Sequence, residues 1–154
     1  AFPSDQLATG AIYPANNDVF SQSLGMIYAS FGYDNNITVA RVTGSDLEKM
    51  LLSQARYYGE GPVMTHVSSG VEYTVEMDGN EITDLKVYID GERVDPDGEY
   101  TFAVNSYVWQ YYAGAGNPIS SETTSTTEKE ILVEYLQEIG TITDSVLEER
   151  ITIE

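Results

Sequence analysis

Phe31-Gly32-Tyr33-Asp34-Asn35-Asn36, continued by Ile37-Thr38-Val39-Ala40-Arg41-Val42 and Thr43-Gly44-Ser45-Asp46, is the stretch on which the fold turns. Ile37–Val42 alternates and carries β-branched residues, as a half-buried strand does. A helix start follows. Ser45-Asp46-Leu47-Glu48 reads as a capping box, the serine accepting from the third helical amide and the glutamate reaching back. Leu47, Met50, Leu51, Ala55 and Tyr58 then recur at helical spacing, which predicts a helix with one face on the core, stopped by Gly59-Glu60-Gly61-Pro62. An aromatic and an amide are thereby set at the entry to a strand.

Their counterpart is Val104-Asn105-Ser106-Tyr107-Val108-Trp109, leading into Ala113-Gly114-Ala115-Gly116-Asn117. Two aromatics at the ends of separate strands, one beside an amide and one beside a glycine-rich loop, can form a slot for a flat heterocycle.

Working outward, residues 1–17 read as an irregular lead-in rich in Pro, Gly, Asn and Ala, and Asp18–Ala29 as a short helix capped by Asn17 or Asp18. Val71, Tyr73, Val75 and Met77 alternate with polar residues, and Leu85, Val87 and Ile89 continue the alternation beyond the turn Asp78-Gly79-Asn80. Asp90-Gly91 signals a second turn that needs positive φ. A strand is expected over Tyr100–Asn105, a flexible loop over the serine and threonine cluster 120–127, and an amphipathic helix over Thr127–Ile139. That helix should bury Ile131, Leu132, Tyr135, Leu136 and Ile139, and Glu149–Ile153 should close the fold as a strand. Helices segregated from sequence-adjacent strands argue for a single α+β domain with a mixed or antiparallel sheet.

The chain has 154 residues, enough for one sizeable core. Seven basic residues against 25 acidic ones give a net charge of −18, which repels nucleic acid and anionic lipid at long range. Zero cysteines exclude disulfides and thiolate chemistry. No apolar run approaches the roughly 20 residues of a membrane-spanning helix, and the start Ala1 suggests a processed or excised piece. The single histidine, His66, reads as a packed or surface residue in a strand, and no serine-hydrolase elbow accompanies it. Asp95, Asp97 and Glu99 around Gly98 lack the further ligands of a calcium loop and read as a solvated turn.

Several segments together resemble the substrate-binding C-terminal domain of the 5'-nucleotidase family. They are Gly25-Met26-Ile27-Tyr28 before Phe31–Asn35, Val42-Thr43-Gly44, Val67-Ser68-Ser69-Gly70-Val71-Glu72-Tyr73 and Val94-Asp95-Pro96-Asp97-Gly98-Glu99-Tyr100. The resemblance implies that Tyr33 and Tyr107 sandwich a nucleobase and that Asn35 contacts its edge. Trp109 competes with Tyr107 for the second aromatic position, and Gly114 and Gly116 would let the backbone approach. Base stacking of this kind is worth roughly 1–3 kcal/mol and tolerates different bases.

Two departures stand out: Ala115 occupies the place of a sugar-binding aspartate, and Ser4 and Asp5 lie where an arginine-containing segment is expected. The resemblance further implies a nucleotide or nucleoside ligand and a separate N-terminal metallophosphatase domain holding a divalent metal pair. No cofactor is expected in this chain, which by itself would bind weakly and hydrolyse nothing. The parent protein would be secreted, surface-attached or periplasmic, with no membrane insertion. An interaction module that kept the fold and lost the pocket is the competing expectation.

Overall fold

Val42, Met50, Val75 and Val87, all inaccessible to solvent, tie two β-sheets and a helix into one core. The computed structural model describes residues 32–58, 61–139 and 150–153. Strand β1 (Asn36–Thr43) leads into helix α1 (Gly44–Gln54), followed by the short strands β2 (Arg56–Tyr58) and β3 (Gly61–Val63). A meander comes next, β4 (Val71–Asp78), β5 (Glu81–Ile89) and β6 (Glu92–Arg93), and after it β7 (Glu99–Asn105), which joins the other sheet. Helix α2 (Ser106–Ala115), strand β8 (Ser120–Thr127), helix α3 (Glu128–Ile139) and strand β9 (Ile151–Ile153) complete the described chain.

The strands form a sheet in the order β7-β1-β8, a sheet β6-β5-β4-β9 and the small pair β2-β3. Among the described residues all pairings are antiparallel except that of β9 with β4. The fold is therefore α+β, as its sequence pattern predicts. Strand β1 turns Thr38, Ala40 and Val42 inward, where they are buried, and the alternation of β4 and β5 buries Tyr73, Val75, Leu85 and Val87 on one side. The turn between β5 and β6 has φ of 50° at Asp90 and 80° at Gly91, the positive pair that an Asp-Gly hairpin favours.

Helix α1 starts differently from its expected capping box. Thr43 is the N-cap: its hydroxyl accepts from Asp46 N–H at 3.1 Å and donates to Asp46 Oδ2 at 3.0 Å. The cap is thus Thr43 with Asp46 as its partner, two residues upstream of the expected Ser45, and Glu48 is free to reach Val87 and Arg93. The helix also ends sooner, at Gln54; Ala55 caps it with extended backbone, and Arg56-Tyr57-Tyr58 pairs with Gly61–Val63. Adjacent tyrosines favour a strand more than a further helical turn.

Three other expectations give way. The serine and threonine cluster is not a loop but β8, paired along β1, with the Thr38 and Thr123 hydroxyls 2.8 Å apart. Threonine is β-branched, so a polar run rich in it still makes a strand. Helix α3 spans the expected residues and opens on a capping box, Thr127 N–H donating to Glu130 Oε2 at 2.8 Å. None of its side chains is buried, however, and Ile131 and Tyr135 are exposed. His66 lies exposed in an irregular segment between β3 and β4, not in a strand. The expected helix over Asp18–Ala29, the lead-in with Ser4 and Asp5, and Phe31 lie outside the described residues.

Candidate functional site

Antiparallel pairing of β1 with β7 sets Ile37 opposite Asn105, so the entry to β1 and the exit from β7 lie at one end of the three-stranded sheet. Tyr33 and Asn35 arrive there on one segment and Tyr107 leaves on the other. The end of β8 joins them, since Asn36 pairs with Thr127. Two bonds hold the entering segment: Glu128 N–H donates to the Asn35 carbonyl at 2.9 Å, and Asn36 Nδ2 donates to the Thr124 carbonyl at 2.7 Å. The Tyr33 ring is left 81% exposed.

On the other segment the chain turns directly into a helix. Asn105 is its N-cap, Oδ1 accepting from Val108 N–H at 2.8 Å. The second aromatic therefore stands in the first turn of α2 and not at a strand end. Helical geometry separates the two candidates for that role. Tyr107 points outward and is 56% exposed, whereas Trp109, two residues on and across the helix, packs toward the core with its ring 6.1 Å from that of Phe102. Tyr107 and Trp109 thus do not share a surface.

Tyr111, one turn beyond Tyr107 and 47% exposed, does share it. The two rings meet edge to face with centroids 5.5 Å apart at 71°, and the Tyr111 hydroxyl donates to the Tyr107 oxygen at 3.3 Å. Hydrogen bonding between the two phenols, with the charge of the neighbouring one, raises the Tyr107 phenol above its ordinary value of 10.0. The sequence alone does not single out Tyr111, because the pair is visible only once residues 106–115 are known to be helical; the signal for that is Asn105, placed three residues before Val108 as a cap.

The glycines divide as well. A Cβ on Gly114 would meet nothing within 4 Å, so the backbone there is open to an approaching group. A Cβ on Gly116 would come within 2.8 Å of Met50 Cε and 3.3 Å of Asp46 Cβ, so Gly116 serves the packing of α1 against the end of α2. The stretch expected as a glycine-rich loop is largely the last turn of α2, with Gly116 as its C-cap. Asp46 sits beside it, 7% exposed. Burial acts to raise its carboxyl, but bonds from Thr43, Lys49 and the Asn117 backbone outweigh that and hold it below its ordinary value.

Asp95, Asp97 and Glu99 form a turn at the opposite end of the sheet. Gly98 N–H donates to the Asp95 carbonyl and Asp97 N–H to Asp95 Oδ1, both at 3.0 Å, and Glu99 pairs with Arg41. Among the described residues no three His, Cys, Asp or Glu side chains gather as a metal site. Nor is any described helix long and apolar enough to cross a membrane.

Residues 17–117 match the family model described as 5'-nucleotidase, C-terminal domain. The chain belongs to that family. The 5'-nucleotidase C-terminal domain match runs through β1, the meander and α2, and so includes both segments that carry Tyr33 and Tyr107. A comparison with curated protein sequences finds no match.

Among solved structures, a 5'-nucleotidase precursor from Thermus thermophilus aligns over 86% of this chain and 28% of its own, with TM-score 0.62 and 17% identity. A sulfate thiohydrolase from the same species, solved with glycerol, aligns over 87% of this chain and 25% of its own, with TM-score 0.59 and 18% identity. The NAD nucleotidase of Haemophilus influenzae aligns over 86% and 27%, with TM-score 0.59 and 12% identity. These likenesses establish the fold of the 5'-nucleotidase C-terminal domain, and this chain spans about a quarter of the length of those structures.

Proposed function

We propose that this domain recognises a nucleotide or nucleoside, Tyr33 and Tyr107 stacking on the base and Asn35 reading its edge, for a hydrolase whose two-metal centre lies in a separate domain. The observation that carries the reading is the pairing of Ile37 with Asn105, which brings the Tyr33 and Tyr107 segments to one end of the sheet with both rings exposed. Large aromatics left in water at one place are suited to a flat partner, since each base stacked adds roughly 1–3 kcal/mol. Gly114, open to approach, belongs to the same reading. Trp109 does not, because its ring is committed to Phe102. The parent protein is secreted or surface-attached on this reading, and the metal pair resides in its catalytic domain. No catalytic step is assigned to this chain.

Isothermal calorimetry with adenosine, AMP and uridine tests the proposal. Saturable heat whose affinity falls by about 5- to 150-fold in Tyr33→Ala and in Tyr107→Ala, the weight of one stacked base, supports it. A flat response at millimolar ligand refutes it for this chain and favours a second reading, an interaction module on the same fold. Ala115 and the packing role of Gly116 favour that alternative, since neither offers a polar group to a sugar.

A further inference from the structure

We propose that Tyr111 is a positioning residue for nucleobase binding, holding the Tyr107 ring through their edge-to-face contact so that it meets the base in a single orientation. This rests on the reading of Tyr107 as a base-stacking residue and adds a residue to that site.

Three observations carry it. Tyr107 stands in the first turn of α2, where nothing upstream on the helix can buttress a side chain, and more than half of it is in water. Its described ring partner is Tyr111, at 5.5 Å and 71°, and its hydroxyl is held by the Tyr111 hydroxyl at 3.3 Å. The core-facing side of the same helix is filled by Val108, Trp109 and Tyr112, so the Tyr107–Tyr111 pair contributes little to the core and its geometry is not imposed from below.

An unsupported phenol here would exchange among rotamers and lose that freedom when a base stacked on it. Immobilising such a side chain costs about 0.5–1.5 kcal/mol on binding. A neighbour that fixes the ring beforehand removes that cost, and the edge-to-face contact leaves one face of Tyr107 free. Tyr111 thus acts through Tyr107 without touching the base.

The test uses the 154-residue chain with adenosine as the probe, measured by calorimetry, and with ring-labelled tyrosine followed by NMR. Tyr111→Leu is expected to weaken adenosine binding about 3- to 10-fold, and Tyr111→Phe, which keeps the ring, by no more than about 3-fold. On a Tyr107→Leu background, Tyr111→Leu is expected to add nothing, because a residue that acts through another is not additive with it. The Tyr107 resonances should pass from one fixed environment to an averaged one in Tyr111→Leu, and its phenol should titrate nearer its ordinary value. A merely helix-stabilising role moves neither reading.

Wild-type binding with Tyr111→Leu equally tight overturns the proposal while the base-stacking reading stands. A further loss in the double variant also overturns it, by showing that Tyr111 touches the ligand itself. Absence of wild-type binding overturns the base-stacking reading, and this inference with it.

Discussion

Glu48 Oε1 accepts the Val87 backbone N–H at 2.9 Å, so a side chain from α1 completes the hydrogen bonding of β5. Strand β6 covers β5 only at Tyr88 and Ile89, and the Val87 N–H lies one residue beyond that pairing. The second Glu48 oxygen takes the Arg93 guanidinium at 3.1 Å, which ties β6 into the same joint. Replacing Glu48 with Ala orphans a buried donor and should cost about 1–3 kcal/mol, while Glu48→Gln, which still offers an oxygen, should cost less. Urea denaturation of the two variants checks this; an alanine variant as stable as wild type would show that the joint carries no weight.

Three glycines are expected to respond to alanine in three ways. At Gly44 the new Cβ would fall 2.2 Å from the Asp95 carbonyl oxygen, in a turn held by Gly44 N–H on the Gly98 carbonyl and Ser45 N–H on the Pro96 carbonyl. Backbone must move, and a loss above about 2 kcal/mol is expected. At Gly116 the clash is mainly with the flexible end of Met50, so the loss should be nearer 1–2 kcal/mol, about the lower range of overpacking. Gly114→Ala meets open space inside a helix and should stabilise by about 0.5–1 kcal/mol. Thermal melts of the three variants give the order directly, and the Gly114 variant also serves the binding assay, where a weakened affinity would place the ligand against that backbone.

Much of this is legible in the sequence. The β4–β5 hairpin and its neighbour are plain because alternation and Asp-Gly turns agree on where the strands run, although the pairing shifts by a bulge between Glu76 and Met77. Tyr33 and Asn35 are singled out by the family resemblance, and the clear strand after them fixes their place at its entry. Residues 106–115 cannot be assigned: Tyr, Val and Trp favour strands, the glycines and alanines at their end suggest a loop, and only the Asn105 cap speaks for a helix. With the helix unseen, Tyr107 cannot be separated from Trp109, and Tyr111 does not stand out. Strand β8 is hidden for the opposite reason, its pairing with β1 resting on threonine shape and cross-strand hydroxyl bonding rather than on hydrophobicity.

Stability should fall in alkali as two buried phenols are driven to ionise. Burial, with Tyr112 nearby, pushes the Tyr73 phenol up from 10.0 to about 12, and burial pushes Tyr112 up as well. Both hydroxyls are bonded as donors to Thr65, Tyr73 to its carbonyl at 2.6 Å and Tyr112 to its Oγ1 at 2.9 Å. The unfolded chain releases these protons near pH 10 while the folded one keeps them, so their stabilisation is complete below that pH and disappears as pH rises toward 12. Denaturation midpoints measured from pH 8 to pH 12, a range set by the ordinary tyrosine value of about 10, should drop steeply in wild type and less steeply in Tyr73→Phe. A parallel decline in both would remove Tyr73 as the cause.

Helix α3 should prove to be held by its cap and not by its apolar stripe. Ile131 is 43% exposed and Tyr135 50%, so Ile131→Ser with Tyr135→Ser should change global stability by no more than about 0.5 kcal/mol, whereas core positions would lose several. The cap is better made: Thr127 N–H reaches Glu130 Oε2 at 2.8 Å, Glu130 N–H returns to Thr127 Oγ1 at 3.3 Å, and the Glu128 N–H is fixed to Asn35. A helix of 12 residues is marginal in water without packing. Thr127→Ala should therefore expose the α3 amides to hydrogen exchange while leaving the main unfolding transition in place. Because Glu128 also anchors the Asn35 carbonyl, the same variant should loosen the entry to β1. Faster exchange at α3 alone would uncouple the helix from the candidate site, and faster exchange at both would join them.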